Sequence, residues 1–163
     1  MEYPYMIVGF IDEFETNQVV EPPRHPHITI KKKFKLTKFT EDEMITLLKK
    51  WSEKIEIPKL KLGQSKIYDD DAFKIIDVIN VQEWQDLHHK IIKLLGDKIE
   101  SRVAKYDDSN YNPHITWLAN NKQMFDPKPL MDTDHSILYI YLIQRVHPTE
   151  SKAKIIAKFR THN

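Results

Sequence analysis

The sequence predicts an α+β fold, on three observations. Short runs rich in aromatic and β-branched residues alternate with two longer segments whose apolar residues recur every three or four positions. The strand-like runs outnumber the helical ones, as in an antiparallel sheet with few helices. One phrase, Pro-His-Ile-Thr, occurs twice, at Pro26–Thr29 and Pro113–Thr116, each time inside a strand-like run.

Taken in order, Tyr3–Ile11 reads as a first strand and Pro26–Leu36 as a second. Thr40 and Glu43 have the form of a capping box, a hydroxyl at the N-cap and a carboxylate three residues on. Met44, Leu47, Leu48, Trp51 and Ile55 then make one apolar helical stripe. Lys59–Tyr68 and Phe73–Ile79 read as strands around the acidic turn Tyr68–Asp71. A second helix is expected over Gln82–Ala104, with Trp84, Leu87, His88, Ile91, Ile92, Leu95 and Ile99 on one face. After a polar loop at Asp107–Asn112, Pro113–Ala119 is a strand, and Ile137–Val146 and Ala153–Phe159 close the chain as a hairpin. Each PHIT strand falls in a half with one long helix and further strands, which suggests duplication of a supersecondary unit.

Composition narrows the function. The 163 residues suit a single domain, 1–163, and an apolar fraction of 40% supplies a core. Cysteine is absent, so disulfide scaffolds, thiol nucleophiles and cysteine-held zinc are excluded. No run reaches the ~20 apolar residues of a membrane span, and the first residues do not read as a signal peptide. A cytoplasmic monomer is the expectation. A net charge of +1 does not suit a protein that coats long nucleic acid through its overall field, but leaves room for a local phosphate site.

In a strand, residues i and i+2 project from one face. His27 and Thr29 therefore point together, as do His114 and Thr116, while Ile28, Ile30, Ile115 and Trp117 turn to the other side. A threonine hydroxyl can donate to a phosphate oxygen, and the imidazole beside it can give or take a proton at the oxygen entering or leaving phosphorus. Two such units facing each other supply a base and an acid around one phosphorus, with no metal required. An imidazole pKa of about 6.5 allows one neutral and one protonated copy near pH 7. On a regular strand His25, His27, Thr29, Lys31, Lys33 and Lys35 share a face. Lys31 is then the cation nearest the motif, able to stabilise phosphate charge, and Lys33 and Lys35 read as solvated.

The two motifs, His27-Ile-Thr29-Ile and His114-Ile-Thr116-Trp, resemble the signature of the 2H phosphoesterase superfamily, which includes the 2′-5′ RNA ligase and cyclic phosphodiesterase group. The resemblance covers most of the chain. It implies a bilobal fold with two pseudo-symmetric lobes of antiparallel sheet and helices, and a cleft between them to which each lobe gives one motif. It also implies metal-independent phosphodiester cleavage without a cofactor, with His27 and His114 as acid–base pair and Thr29 and Thr116 binding phosphate. The expected substrate is a nucleotide, an RNA end or a small cyclic oligonucleotide: a 2′,3′-cyclic phosphate, a 2′-5′ linkage or a cyclic signal. Trp117 departs from the smaller aliphatic residue common at that position, and strand parity assigns it to the core.

Other readings remain open. His25 and His27 could ligate a metal in a metallohydrolase, and a nucleotide- or RNA-binding module without turnover would use the same cleft. Tyr111, Tyr141 and Arg145 are candidate substrate contacts. His88, on the apolar stripe, reads as a packed, hydrogen-bonded core histidine. His89, His135, His147 and His162 read as surface, loop or tail residues, and Asp69–Asp71 as a charged turn.

Overall fold

The structure is a computed structural model, which describes residues 2–68 and 70–161, without the side chains of residues 70 and 71. The strands are β1 (Tyr5–Phe10), β2 (Val19–Val20), β3 (His27–Leu36), β4 (Leu60–Tyr68), β5 (Asp70–Val78), β6 (Ile99–Ser101), β7 (His114–Ala119), β8 (Lys122–Gln123), β9 (Asp134–His135), β10 (Tyr139–Arg145) and β11 (Ala153–Arg160). The helices are α1 (Glu41–Ser52) and α2 (Val81–Leu95). Among the described residues the strands form two antiparallel sheets. One is ordered β2-β11-β10-β1-β3-β6 and the other β8-β7-β5-β4-β9. Each sheet carries one PHIT strand, so the molecule is bilobal.

The lobes do not follow the two halves of the sequence. The C-terminal hairpin β10–β11 returns to the first sheet and pairs with β1, so the middle of the chain builds the second lobe. Apolar alternation drives this closure. Ile140, Leu142, Ala157 and Phe159 point to the helix-covered face, and Tyr141, Ile143, Ala153 and Ile155 point to the other.

The large core lies between the helices and both sheets. Met44 and Leu48 of α1 and Trp84, Leu87, Ile91 and Leu95 of α2 meet Ile7, Ile28, Ile30 and Phe34 of the first sheet and Leu62, Ile76 and Ile115 of the second. At about 1.5–3 kcal/mol for each fully buried large apolar side chain, this packing dominates the hydrophobic stabilisation. The capping box forms as expected: Glu43 N–H donates to Thr40 Oγ1 at 3.2 Å, and Thr40 N–H donates to Glu43 Oε2 at 2.9 Å.

The second helix is shorter than its apolar periodicity suggests. It ends at Leu95 because Gly96 adopts φ +48°, a left-handed conformation that glycine accepts without a Cβ penalty. Ile99, which matches the stripe, instead lies in β6 opposite Leu36. The short strands β2, β6, β8 and β9 have no sequence signature, since two or three residues hold no alternation. Of the acidic turn, Asp69 lies outside the described residues, and β5 already begins at Asp70. No helix among the described residues is long and apolar enough to cross a membrane.

Candidate active site

Both histidines are held by the same local device. His27 follows Pro26 at the start of β3, and its Nδ1 lies 2.8 Å from the carbonyl oxygen of His25. His114 follows Pro113 at the start of β7, and its Nδ1 lies 2.8 Å from the carbonyl oxygen of Asn112. A carbonyl only accepts, so Nδ1 carries the proton in each ring. The neutral tautomer then leaves Nε2 unprotonated, and neither Nε2 has a hydrogen-bond partner among the described residues. Behind each ring the strand is pinned by a fully buried isoleucine, Ile28 and Ile115.

The two strands approach each other although they belong to different sheets. The His27 charge is felt at His114, so the rings share one cleft. Thr29 and Thr116, two residues on from each ring, are half-buried. Neither hydroxyl has a protein partner among the described residues. The structure thus brings the two histidines near one another, with Thr29 and Thr116 two residues on along the same two strands.

Burial moves both imidazoles toward the neutral form. His114 is pushed down to about 4, chiefly by desolvation, with the Lys32 and His27 charges adding to it against the favourable Asn112 carbonyl. His27 also lies below the usual histidine value. Desolvation is again the main cause, opposed by the His25 and Pro22 carbonyls. A negatively charged ligand between the rings would reverse this bias and return a proton to one of them.

Aromatic rings wall the pair. Tyr68, at the end of β4, packs on His114 with ring centroids 4.6 Å apart. Phe10 lies 5.5 Å from His27. Tyr68 is a site residue that the sequence reading missed; its one sequence signal is an aromatic residue at a strand end beside a turn.

Lys31 is not on the His27 face. The β1–β3 register runs Val8↔Thr29, Ile7↔Lys31 and Tyr5↔Phe34, so β3 gains a residue twice relative to β1. Such bulges reverse strand parity. The first turns Lys31 to the core side, opposite Ile7, where it is fully buried. Its Nζ donates to Ser101 Oγ at 2.8 Å and pairs with Asp107 at 3.1 Å. Lys32 takes the place expected of Lys31: its charge acts on His114, and its Nζ lies 4.2 Å from the centre of the Tyr106 ring.

The bulge is held from α2. Ile30 C=O accepts from His88 Nδ1 at 2.8 Å, and His88 Nε2 accepts from Asp108 N–H at 2.9 Å. Both ring nitrogens are satisfied only in the neutral form, and burial keeps His88 below its usual pKa. His88 is the hydrogen-bonded core histidine expected from its stripe. Tyr111 stacks on it at 4.1 Å and donates its hydroxyl to the carbonyl of Thr29 at 2.9 Å.

The remaining candidates divide. Tyr111 is 3% exposed and spends its hydroxyl on the strand. Tyr141 is fully buried, and its oxygen accepts from Phe14 N–H at 3.1 Å. Neither presents a free group to the cleft. Arg145 is half-buried and joins His27 and Lys33 around a cavity of about 240 Å³. Trp117 faces away from the histidines, as parity requires, and donates to Ser65 Oγ at 2.9 Å. His25 packs edge-on against Phe14 and lies 3.7 Å from Asp12. Among the described residues no three His, Asp or Glu side chains cluster to hold a metal. His135 bonds Thr133 and His147 caps its own loop; His162 lies outside the described residues.

No protein-family model matches the chain, and no curated protein sequence matches it. Solved structures do. A phosphoesterase crystal structure aligns over 100% of both chains with a TM-score of 0.63 at 10% identity. Escherichia coli LigT complexed with ATP aligns over 100% of both chains with a TM-score of 0.60 at 9% identity. LigT complexed with NADP+ aligns over 99% of both chains with a TM-score of 0.57 at 11% identity. The chain therefore has the bilobal α+β fold of the LigT-like 2H phosphoesterases.

Proposed function

We propose that this chain, with the 2H phosphoesterase fold, is a metal-independent phosphodiesterase that cleaves a nucleotide or RNA-terminal phosphodiester between His27 and His114. One observation carries the reading: two histidines on apposed strands, each locked by a carbonyl at Nδ1, with neither Nε2 nor the threonine hydroxyl two residues on making a protein hydrogen bond among the described residues. The full-length likeness to a phosphoesterase and to LigT supports it, and LigT complexes with ATP and NADP+ make a nucleotide the natural ligand class.

In the proposed hydrolysis of a 2′,3′-cyclic phosphate, the phosphate oxygens accept from the Thr29 and Thr116 hydroxyls. The phosphodiester charge raises the pKa of the imidazoles around it and protonates one Nε2. The other Nε2, neutral because of its burial, takes a proton from water as the water oxygen bonds to phosphorus. The protonated ring gives its proton to the departing ribose oxygen. The P–O bond to that oxygen breaks, leaving a phosphomonoester and a hydroxyl. Lys32, rather than Lys31, supplies positive charge beside the developing oxyanion. A 2′-5′ linkage or a small cyclic oligonucleotide would be opened by the same two transfers.

The test is a panel of 2′,3′-cyclic nucleotides, 2′-5′ oligonucleotides and cyclic oligonucleotides, with the position of the product phosphate determined in the presence of EDTA. Turnover of at least one class in chelator is expected. Activity lost in EDTA and restored by a divalent ion would instead assign a metallohydrolase, and tight binding without product a binding module.

A further inference from the structure

The cavity beside His27 carries more positive charge than one scissile phosphate needs. It is lined by Lys33, Arg145 and Lys152, with Met6, Ile143 and Pro22 among its apolar walls. Among the described residues no carboxylate lines it. Lys152 is balanced from outside by Glu150 at 2.8 Å, but Lys33 and Arg145 have no acidic partner among the described residues, in a chain with 24 Asp and Glu. Arg145 Nε is buried without a hydrogen-bond partner among the described residues. A buried guanidinium donor left unpaired is costly unless a ligand completes it.

The fold builds this arrangement. The second bulge in β3, between Lys31 and Phe34, leaves both Lys32 and Lys33 on the cleft side. Arg145 ends β10 on the same sheet, opposite Ala153. The volume of about 240 Å³ falls below the roughly 300–1,000 Å³ of pockets that enclose a whole drug-sized ligand. It suits one anionic group with part of its sugar.

We propose that this cavity binds a second, non-scissile phosphate of the substrate, so that the enzyme selects a dinucleotide or longer chain over a mononucleotide. Arg145 donates from its guanidinium to a phosphate oxygen, Lys33 adds charge at the mouth, and the apolar walls contact the intervening ribose. The inference rests on the reading of the cleft only for the place of the scissile phosphate.

The experiment compares a nucleoside 2′,3′-cyclic phosphate with a dinucleotide ending in the same cyclic phosphate, and with that dinucleotide carrying an uncharged methylphosphonate between its nucleosides. Wild-type protein is expected to favour the charged dinucleotide at least 10-fold in kcat/KM. The double variant Lys33→Gln/Arg145→Gln is expected to lose that preference through KM, and the methylphosphonate to lose it in the wild type. Equal rates on the first two compounds, a preference that survives in the double variant, or one that survives in the methylphosphonate overturns the proposal. If neither compound is turned over, the function reading fails and titrated dissociation constants decide this one. A charge-dependent preference for the dinucleotide that the double variant loses upholds the subsite, and equal affinities overturn it.

Discussion

The Tyr111 hydroxyl donates to the carbonyl oxygen of Thr29 at 2.9 Å. Tyr111 belongs to the segment that leads into the second motif and Thr29 to the first, so this bond joins the two halves of the site. It also satisfies a strand carbonyl next to the bulge that turns Lys31 inward. Tyr111→Phe should therefore cost about 1–3 kcal/mol in denaturant melts and lower kcat several-fold by loosening Thr29. An unchanged kcat with the expected stability loss would make the bond purely structural.

Lys31→Met tests the bulge directly. Lys31 is buried against Asp107, and removing one member of a buried pair typically costs about 3–5 kcal/mol. Asp107 retains some exposure, so about 3 kcal/mol is expected in a chemical melt. If Lys31 faced the cleft, the variant would instead melt like wild type and lose activity.

Activity should have an acid optimum in kcat/KM. The imidazoles of the unliganded protein lie below 6.5, with His114 at about 4, and the proposed cleavage needs one ring protonated and one neutral. The profile is therefore a bell whose maximum lies below pH 6.5. In kcat, which reports the complex, the alkaline limb should move up, because the bound phosphodiester favours the protonated ring. Profiles of kcat and kcat/KM that coincide would contradict this electrostatic account.

Stability should fall with acid in the same window. A histidine with a lowered folded pKa binds its proton more readily when unfolded, so the unfolded state takes up more protons below about 6.5. Stability is then lost as pH falls from about 6.5 through the folded values. His27, His88 and His114 all contribute in this direction. Melts at stepped pH should show the decline, and His88→Asn should flatten it.

The sequence made the motif pairs legible because Ile28, Ile30 and Ile115 alternate with them and alternation is what burial selects. It also made the α1 cap and the core role of His88 legible. The place of Lys31 was not, since three consecutive lysines hold no alternation that could reveal a bulge. The end of α2 was hidden by Ile99, which extends the helical spacing while serving β6, although Gly96 was the signal against it. Arg145 and Lys33 meet only through the pairing of strands far apart in the chain, and nothing local to either residue records that.

The central claim is that His27 and His114 act together on one phosphodiester, and the most direct measurement is single-turnover cleavage of a 2′,3′-cyclic nucleotide by His27→Ala, His114→Ala and the double variant. Each single change should lower the rate ~10²-fold or more while the melting transition persists, and the double variant should lose little beyond either single one. Single variants that both cleave at the wild-type rate would contradict the account.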